Sequence, residues 1–140
     1  MIEFHLESHS GVAPYLQIVQ QVKQALRLGL LEVGDQLPTV REVIAQITIN
    51  PNTVFKAYRE LEREGLVSSR PGAGTFVRRT LATTSPTTQA ELRESLRRWL
   101  ESAFAAGLDG ESALALFLAT AQELQQGVLA QVPNTEEEPV

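Results

Sequence analysis

Leu37-Pro38-Thr39-Val40-Arg41-Glu42 and, a few residues on, Asn50-Pro51-Asn52-Thr53-Val54 decide the fold of this chain, because each marks a helix start. Thr39 and Glu42 stand at the T-x-x-E spacing of a capping box, in which each side chain satisfies a backbone N–H at the helix start. The spacing predicts a short helix from about Thr39 to Gln46, with Pro38 just outside it and Val43 and Ile44 facing inward. Asn50 is a good N-cap, and Pro51 takes the first helical position, where its missing N–H costs nothing. The helix it opens carries Val54, Ala57, Tyr58 and Leu61 on one face and stops at Gly65. Only Ile47-Thr48-Ile49 separates the two helices, and so tight a connection makes a helix-turn-helix unit.

Outward from that stretch the pattern extends on both sides. Pro14 opens an earlier amphipathic helix in which Tyr15, Ile18, Val19, Val22, Leu26 and Gly29 recur at steps of three and four. Ahead of it, Ile2 to Leu6 alternates with period two, as a small strand or an extended arm would. After the third helix, Leu66 to Arg70, Pro71-Gly72-Ala73-Gly74, and Thr75 to Arg78 read as strand, turn, strand. Helix, helix, tight turn, helix, hairpin is the order of a winged helix. Thr80 to Thr88, rich in Thr and Ser, reads as a linker. Two more helices are expected over about Gln89–Ala106 and Gly110–Val128, antiparallel because Gly107 and Gly110 break the chain between them.

The expected fold class is therefore mainly α with a small β-wing: an N-terminal winged helix-turn-helix and a C-terminal antiparallel two-helix module. Its divisions are residues 1–79, a linker at 80–88, the helical pair at 89–128, and an acidic, disordered tail at 129–140.

Charge is distributed to match. The chain of 140 residues has a net charge of −5, which alone argues against a nucleic-acid partner. Residues 1–80 nevertheless carry a net +1, and residues 81–140 a net −6. Phosphate contacts depend on local basic charge, so only the first module suits DNA. The longest apolar run, Ala113 to Ala119, falls far short of the ~18–20 residues a bilayer span needs, so no membrane partner is expected. Neither a basic start nor an apolar core marks the N-terminus, so a signal peptide is not expected. Cysteine is absent, which fits a reducing compartment, and the expected location is cytoplasmic and nucleoid-associated. His5 and His9 lack carboxylates at ligand spacing, no nucleophile–base pair or phosphate loop can be assembled, and neither metal, cofactor nor enzyme activity is expected.

A helix-turn-helix sets the N-terminal residues of its second helix against base edges in the major groove. Asn50, Asn52 and Thr53 hold those places, with Phe55, Lys56 and Arg59 one turn on. Asn pairs with adenine, Thr serves either kind of base, and an exposed apolar group can touch a thymine methyl. Lys56, Arg59 and Arg63 fall at steps of three and four as phosphate contacts, although Arg63 equally suits pairing with a neighbouring glutamate. Phe55 faces either the groove or the first helix. Arg41 can reach the backbone or a guanine, and the wing adds Arg70 and the glycines of its tip. Tyr15, Tyr58 and Phe76 are expected in the core.

Five blocks in order, Pro14 to Ile18, Leu37 to Glu42, Asn50 to Val54, Arg59 to Leu66, and Gly72 to Val77, resemble the GntR family of bacterial regulators. The Asn-Pro-Asn-Thr-Val form with a short helical pair is similar to its YtrA subfamily. The resemblance implies a homodimer that binds a palindromic double-stranded DNA operator, usually as a repressor, often of its own operon and of transporter genes. It carries DNA contacts onto Arg41, Asn50, Asn52, Thr53, Phe55 or Lys56, and Gly72. Three positions depart from the pattern: Thr48 and Pro51 stand where many members have Gly and Arg, and Ala73 where a basic residue is common. A non-glycine at Thr48 would be strained if the turn needs a left-handed residue.

The helical pair presents Leu92, Leu96, Trp99, Leu100, Ala103 and Phe104 on one helix and Leu114, Phe117, Leu118, Ala121 and Leu124 on the other. Stripes this large are expected to be covered by dimerisation. Two such helices are too few to enclose a drug-sized pocket of roughly 300 Å³ or more. A small-molecule effector between the modules or at the dimer interface is left open, as is control by abundance alone. The competing reading is a winged-helix protein–protein interaction module without operator binding.

Overall fold

The computed structural model describes residues 2–131 and divides into two compact units, Met1–Gln89 and Ala90–Val140. The first contains α1 (Pro14–Arg27), α2 (Val40–Gln46), α3 (Pro51–Arg63), β1 (Val67–Arg70) and β2 (Gly74–Val77). Its core joins Ile18, Val22 and Leu26 of α1 to Val43, Val54 and Leu61, and is closed by Leu66, Val67 and Val77. The apolar steps of α1 and α3 are thus the faces they bury. Ile44 is the exception: it is 40% exposed, because α2 is only two turns long and the face it turns to the core holds Val43, fully buried, and Val40 beside it. The expectation that Ile44 faces inward is corrected.

β1 and β2 pair antiparallel with Val67 opposite Val77 and Arg70 opposite Gly74. The other edge of β2 is covered too. Gly34 N–H donates to Val77 O at 2.9 Å, Val77 N–H to Asp35 O at 2.8 Å, and Leu37 N–H to Thr75 O at 2.8 Å. The segment ahead of α2 therefore flanks the wing and removes the open strand edge that a two-stranded ribbon would expose.

Residues 2–6 form an extended arm, not a paired strand. Phe4 is buried in the core, and two glutamines of α1 hold the backbone beside it. Gln21 accepts from His5 N–H at 3.1 Å and donates to His5 O, while Gln17, 8% exposed, accepts from Glu7 N–H and donates to Glu7 O, Val12 O and Ser10 Oγ. A buried amide needs such saturation, since an unpaired polar group in a core is costly.

The remaining helices are α4 (Pro86–Ala105) and α5 (Gly110–Gln131). α4 begins inside the stretch expected as linker: Pro86 sits in its first turn, and Ser85 Oγ accepts from Thr88 N–H at 3.2 Å as a cap would. Asp109 caps α5, accepting from Ser112 N–H at 2.7 Å. α5 continues to Gln131, into the expected tail; the rest of that tail lies outside the described residues. No described helix is long and apolar enough to cross a membrane.

Candidate nucleic-acid interface

Both helix starts of the helix-turn-helix form as their sequences require. Thr39 Oγ1 accepts from Glu42 N–H at 3.1 Å, and the Glu42 carboxylate folds back onto the Thr39 N–H and hydroxyl. Arg41 beside it is exposed and makes no ion pair among the described residues. Tyr58 of α3 donates its buried hydroxyl to Pro38 O at 2.6 Å, tying the start of α2 to α3. Burial, with the Glu42 charge adding to it, pushes the phenol up from its ordinary value, so it remains a donor.

The connection itself is unstrained. Ile47 is extended, Ile47 and Ile49 pack against the core, and no non-glycine residue has a positive φ among the described residues. The strain expected at Thr48 is absent because the turn needs no left-handed residue there.

Asn50 caps α3 through Oδ1, which accepts from Asn52 N–H at 2.9 Å. An adenine pair uses an Asn side chain as acceptor and donor together. Asn50 has already turned its acceptor to the helix, whereas the exposed Asn52 side chain makes no intramolecular hydrogen bond among those described. At 100° per residue, Asn52, Phe55, Lys56 and Arg59 share the solvent face of α3, opposite Val54, Ala57, Tyr58 and Leu61. Phe55 is 51% exposed and so faces outward, not onto α1; Thr53 is half-buried at the edge of the face.

Charge along α3 is sorted from end to end. The three glutamates of its C-terminal turn are engaged: Glu60 pairs with Arg63, whose Nε donates at 3.0 Å, Glu62 accepts from Ser69 Oγ at 3.0 Å, and Glu64 pairs with Lys23 at 2.7 Å. The hydrogen bond from Arg63 holds the Glu60 carboxyl below the ordinary carboxylate range. Arg63 is thus committed within the helix, the second of its two sequence readings. Lys56 and Arg59 pair with no carboxylate among the described residues. Instead the Lys56 ammonium lies over the Tyr15 ring of α1, 4.0 Å from its centroid.

The wing turns at Pro71-Gly72. Ala73 N–H donates to Arg70 O at 3.0 Å, and Gly72 has φ +76°, which gives a type II turn with Pro and Gly at its two central positions. The Arg70 guanidinium sits 4.8 Å from the centre of the Phe76 ring, its diagonal neighbour on the ribbon. A cleft of about 450 Å³, lined by Thr39, Arg70, Gly72 and Thr75 among others, separates the wing from the start of α2.

The structure thus groups the candidate residues in two places: Asn52, Phe55, Lys56 and Arg59 on α3, and Arg70 and Gly72 at the wing beside Thr39. Asn50 stands at the head of α3 and Arg41 in the first turn of α2. Tyr15 is half-buried against the core with its ring under Lys56, Phe76 is half-buried under Arg70 outside the core, and Tyr58 is core and also a clamp. Sequence periodicity finds their apolar bodies but not the partners of their faces and hydroxyls.

The second unit presents a different surface. Leu92, Leu96, Phe104, Leu114, Phe117, Leu118 and Leu124 are exposed and Trp99 and Leu100 half-buried, while Ala103 and Ala113 are buried. An open groove of about 300 Å³ is lined by Leu96, Trp99, Leu116, Phe117, Ala121 and Leu124. Leu116, off the helical stripe, escapes a reading by periodicity alone.

Known proteins share this arrangement. The family model described as bacterial regulatory proteins, gntR family, matches residues 14–77. The transcriptional repressor YtrA of Bacillus subtilis is 38% identical over 107 residues, 76% of this chain and 82% of the relative. A crystal structure described as a transcriptional antiterminator from Listeria monocytogenes superposes with a TM-score of 0.53 at 33% identity, covering 87% of this chain and 92% of that one. YtrA from Sulfolobus acidocaldarius, described as a GntR-family transcription factor, gives 0.51 at 28% identity, over 70% of this chain and 97% of that one. The chain belongs to the GntR family of bacterial regulatory proteins, and over most of its length it is similar to YtrA members of that family.

Proposed function

We propose that this DNA-binding transcriptional regulator is a cytoplasmic repressor that binds a palindromic operator as a homodimer. The observation that carries the DNA-binding surface is the solvent face of α3, where Asn52, Phe55, Lys56 and Arg59 stand free of carboxylates while Glu60 and Glu64 at the acidic end of the helix are paired with Arg63 and Lys23. Asn52 and Thr53 read bases, with Phe55 against a thymine methyl; Asn50 acts first as the cap. Arg41, Lys56, Arg59 and Arg70 contact phosphates, and Gly72 lets the wing backbone approach closely.

Two copies are joined through α4 and α5. Supporting this are the exposed apolar side chains of both helices, each about half exposed. Roughly half of the ~1.5–3 kcal/mol that full burial of such a side chain is worth remains to be gained there. Two-fold pairing presents two copies of α3 related by a dyad, which is why a palindrome is the fitting target.

A mobility shift with the DNA upstream of the protein's own gene tests the repressor reading. A salt-sensitive, sequence-selective shift is expected, and its absence overturns autoregulation. Light scattering at micromolar concentration should give twice the mass of one chain; a monomer mass overturns the dimer.

A further inference from the structure

We propose that Gln36 is a positioning residue of the DNA interface, whose side chain fixes the wing tip relative to the two helices of the helix-turn-helix. The inference rests on the wing being a phosphate contact, as above.

The body of β2 is held on both edges by main-chain hydrogen bonds, from β1 and from Gly34 to Leu37. The tip is not. Beyond Gly74 its main chain has the single turn bond from Ala73 N–H to Arg70 O. Gln36 supplies what the backbone lacks: its Nε2 donates to Ala73 O at 3.2 Å. The amide also fills the space beside Gly74, where φ is +124° and an added Cβ would fall 2.5 Å from Gln36 Nε2. Gly74 is thus favoured by its backbone conformation, and an added Cβ would displace this amide from its place.

The segment bearing Gln36 runs straight into the recognition machinery. Gln36 bridges to Phe76, whose ring carries the Arg70 guanidinium. Two residues on, Pro38 O accepts from Tyr58 of α3, and the next residue, Thr39, caps α2. One short segment therefore touches the wing tip, α2 and α3. The side chain of Gln36 is itself exposed and forms no part of the core, which is held at this point by Leu37 and Pro38. Its role is accordingly registration of the tip, not stability of the fold.

The test uses the full chain and a duplex that the wild-type protein selects from a random-sequence pool. Affinity is measured by fluorescence anisotropy over a salt series for wild type, Gln36→Ala, Arg70→Ala and the double variant, with thermal melts alongside. Gln36→Ala should melt like wild type, lose about three- to tenfold in affinity, and lower the slope of log affinity against log salt by about one. In the Arg70→Ala background the same substitution should add almost nothing, since the contact it registers is gone. Unchanged affinity and slope, or a loss that adds in full to that of Arg70→Ala, overturns the inference while leaving the regulator reading intact. A pool that returns no duplex overturns both.

Discussion

The Met1–Gln89 and Ala90–Val140 units are both made of amphipathic helices, yet they treat their apolar faces differently. In the first, Ile18, Val22, Leu26, Val54 and Leu61 are fully enclosed by three helices and a ribbon. In the second, α4 and α5 enclose, among the described residues, the small side chains at Ala103 and Ala113 and leave leucines and phenylalanines half in water. Two helices can bury one stripe between them but not two broad faces. The first unit closes its core within a single chain; the second leaves an apolar surface that, on the proposed reading, a second copy covers.

That difference can be tested from its strong end to its weak one. Leu61→Ala removes a fully buried side chain from the first unit and should cost about 2–5 kcal/mol in denaturant unfolding. A cost below about 1 kcal/mol would mean that the core is less closed than it looks. Phe117→Asp on the exposed face of α5 should act oppositely: sedimentation should show the dimer dissociating at concentrations at least a hundredfold higher, while the unfolding of the first unit stays as in wild type. If the variant remains as dimeric as wild type, the face is not the interface. Lys56→Ala should sharpen the comparison at the DNA, weakening binding about tenfold across all sequences and reducing the salt slope by about one. A loss confined to one base position would instead make Lys56 a base reader.

The smallest effect concerns Asp109. Hydrogen bonds from the Ser112 hydroxyl and then its N–H hold the Asp109 carboxyl below the ordinary carboxylate range. A depressed carboxyl stabilises the folded state fully above its unfolded pKa, and the contribution disappears as pH falls through the folded one. Acidification below the ordinary range should therefore fray the start of α5, read as a small loss of helical circular dichroism, and Asp109→Asn should abolish that part of the pH dependence. The start of α3, capped at Asn50 by a neutral amide, should not fray over the same range, whereas its far end carries the Glu60–Arg63 pair and responds to acid on its own account. An unchanged acid response at α5 in the Asp109→Asn variant would remove Asp109 as its source.

Helix starts were legible because their rules are local. Thr39 with Glu42, and Asn50 with Pro51, specify caps within four residues, and both caps form. The apolar stripe of α3 was legible for the same reason, since helical periodicity assigns each residue to a face. Ile44 was misjudged because periodicity states which residues share a face, not whether a neighbour reaches it, and in the two-turn α2 the face turned to the core holds Val43 and Val40. The start of α4 was misplaced because a Thr/Ser-rich run reads as linker until its Ser85 and Pro86 are recognised as cap and first turn.

By itself the sequence determined the order of elements, the helix-turn-helix, the wing and the amphipathic pair, because caps, turns and periodicity are written within a few consecutive residues. Only the tertiary structure decided which polar and charged side chains are engaged within the fold and which are left to solvent. It set Lys56 over Tyr15 and Arg70 over Phe76, committed Arg63 to Glu60, and brought Gln36 to the wing tip. Apart from the Arg63–Glu60 pair within α3 and the Arg70–Phe76 pair across the hairpin, these contacts join residues brought together by packing, through ring faces and amides whose partners no local rule names.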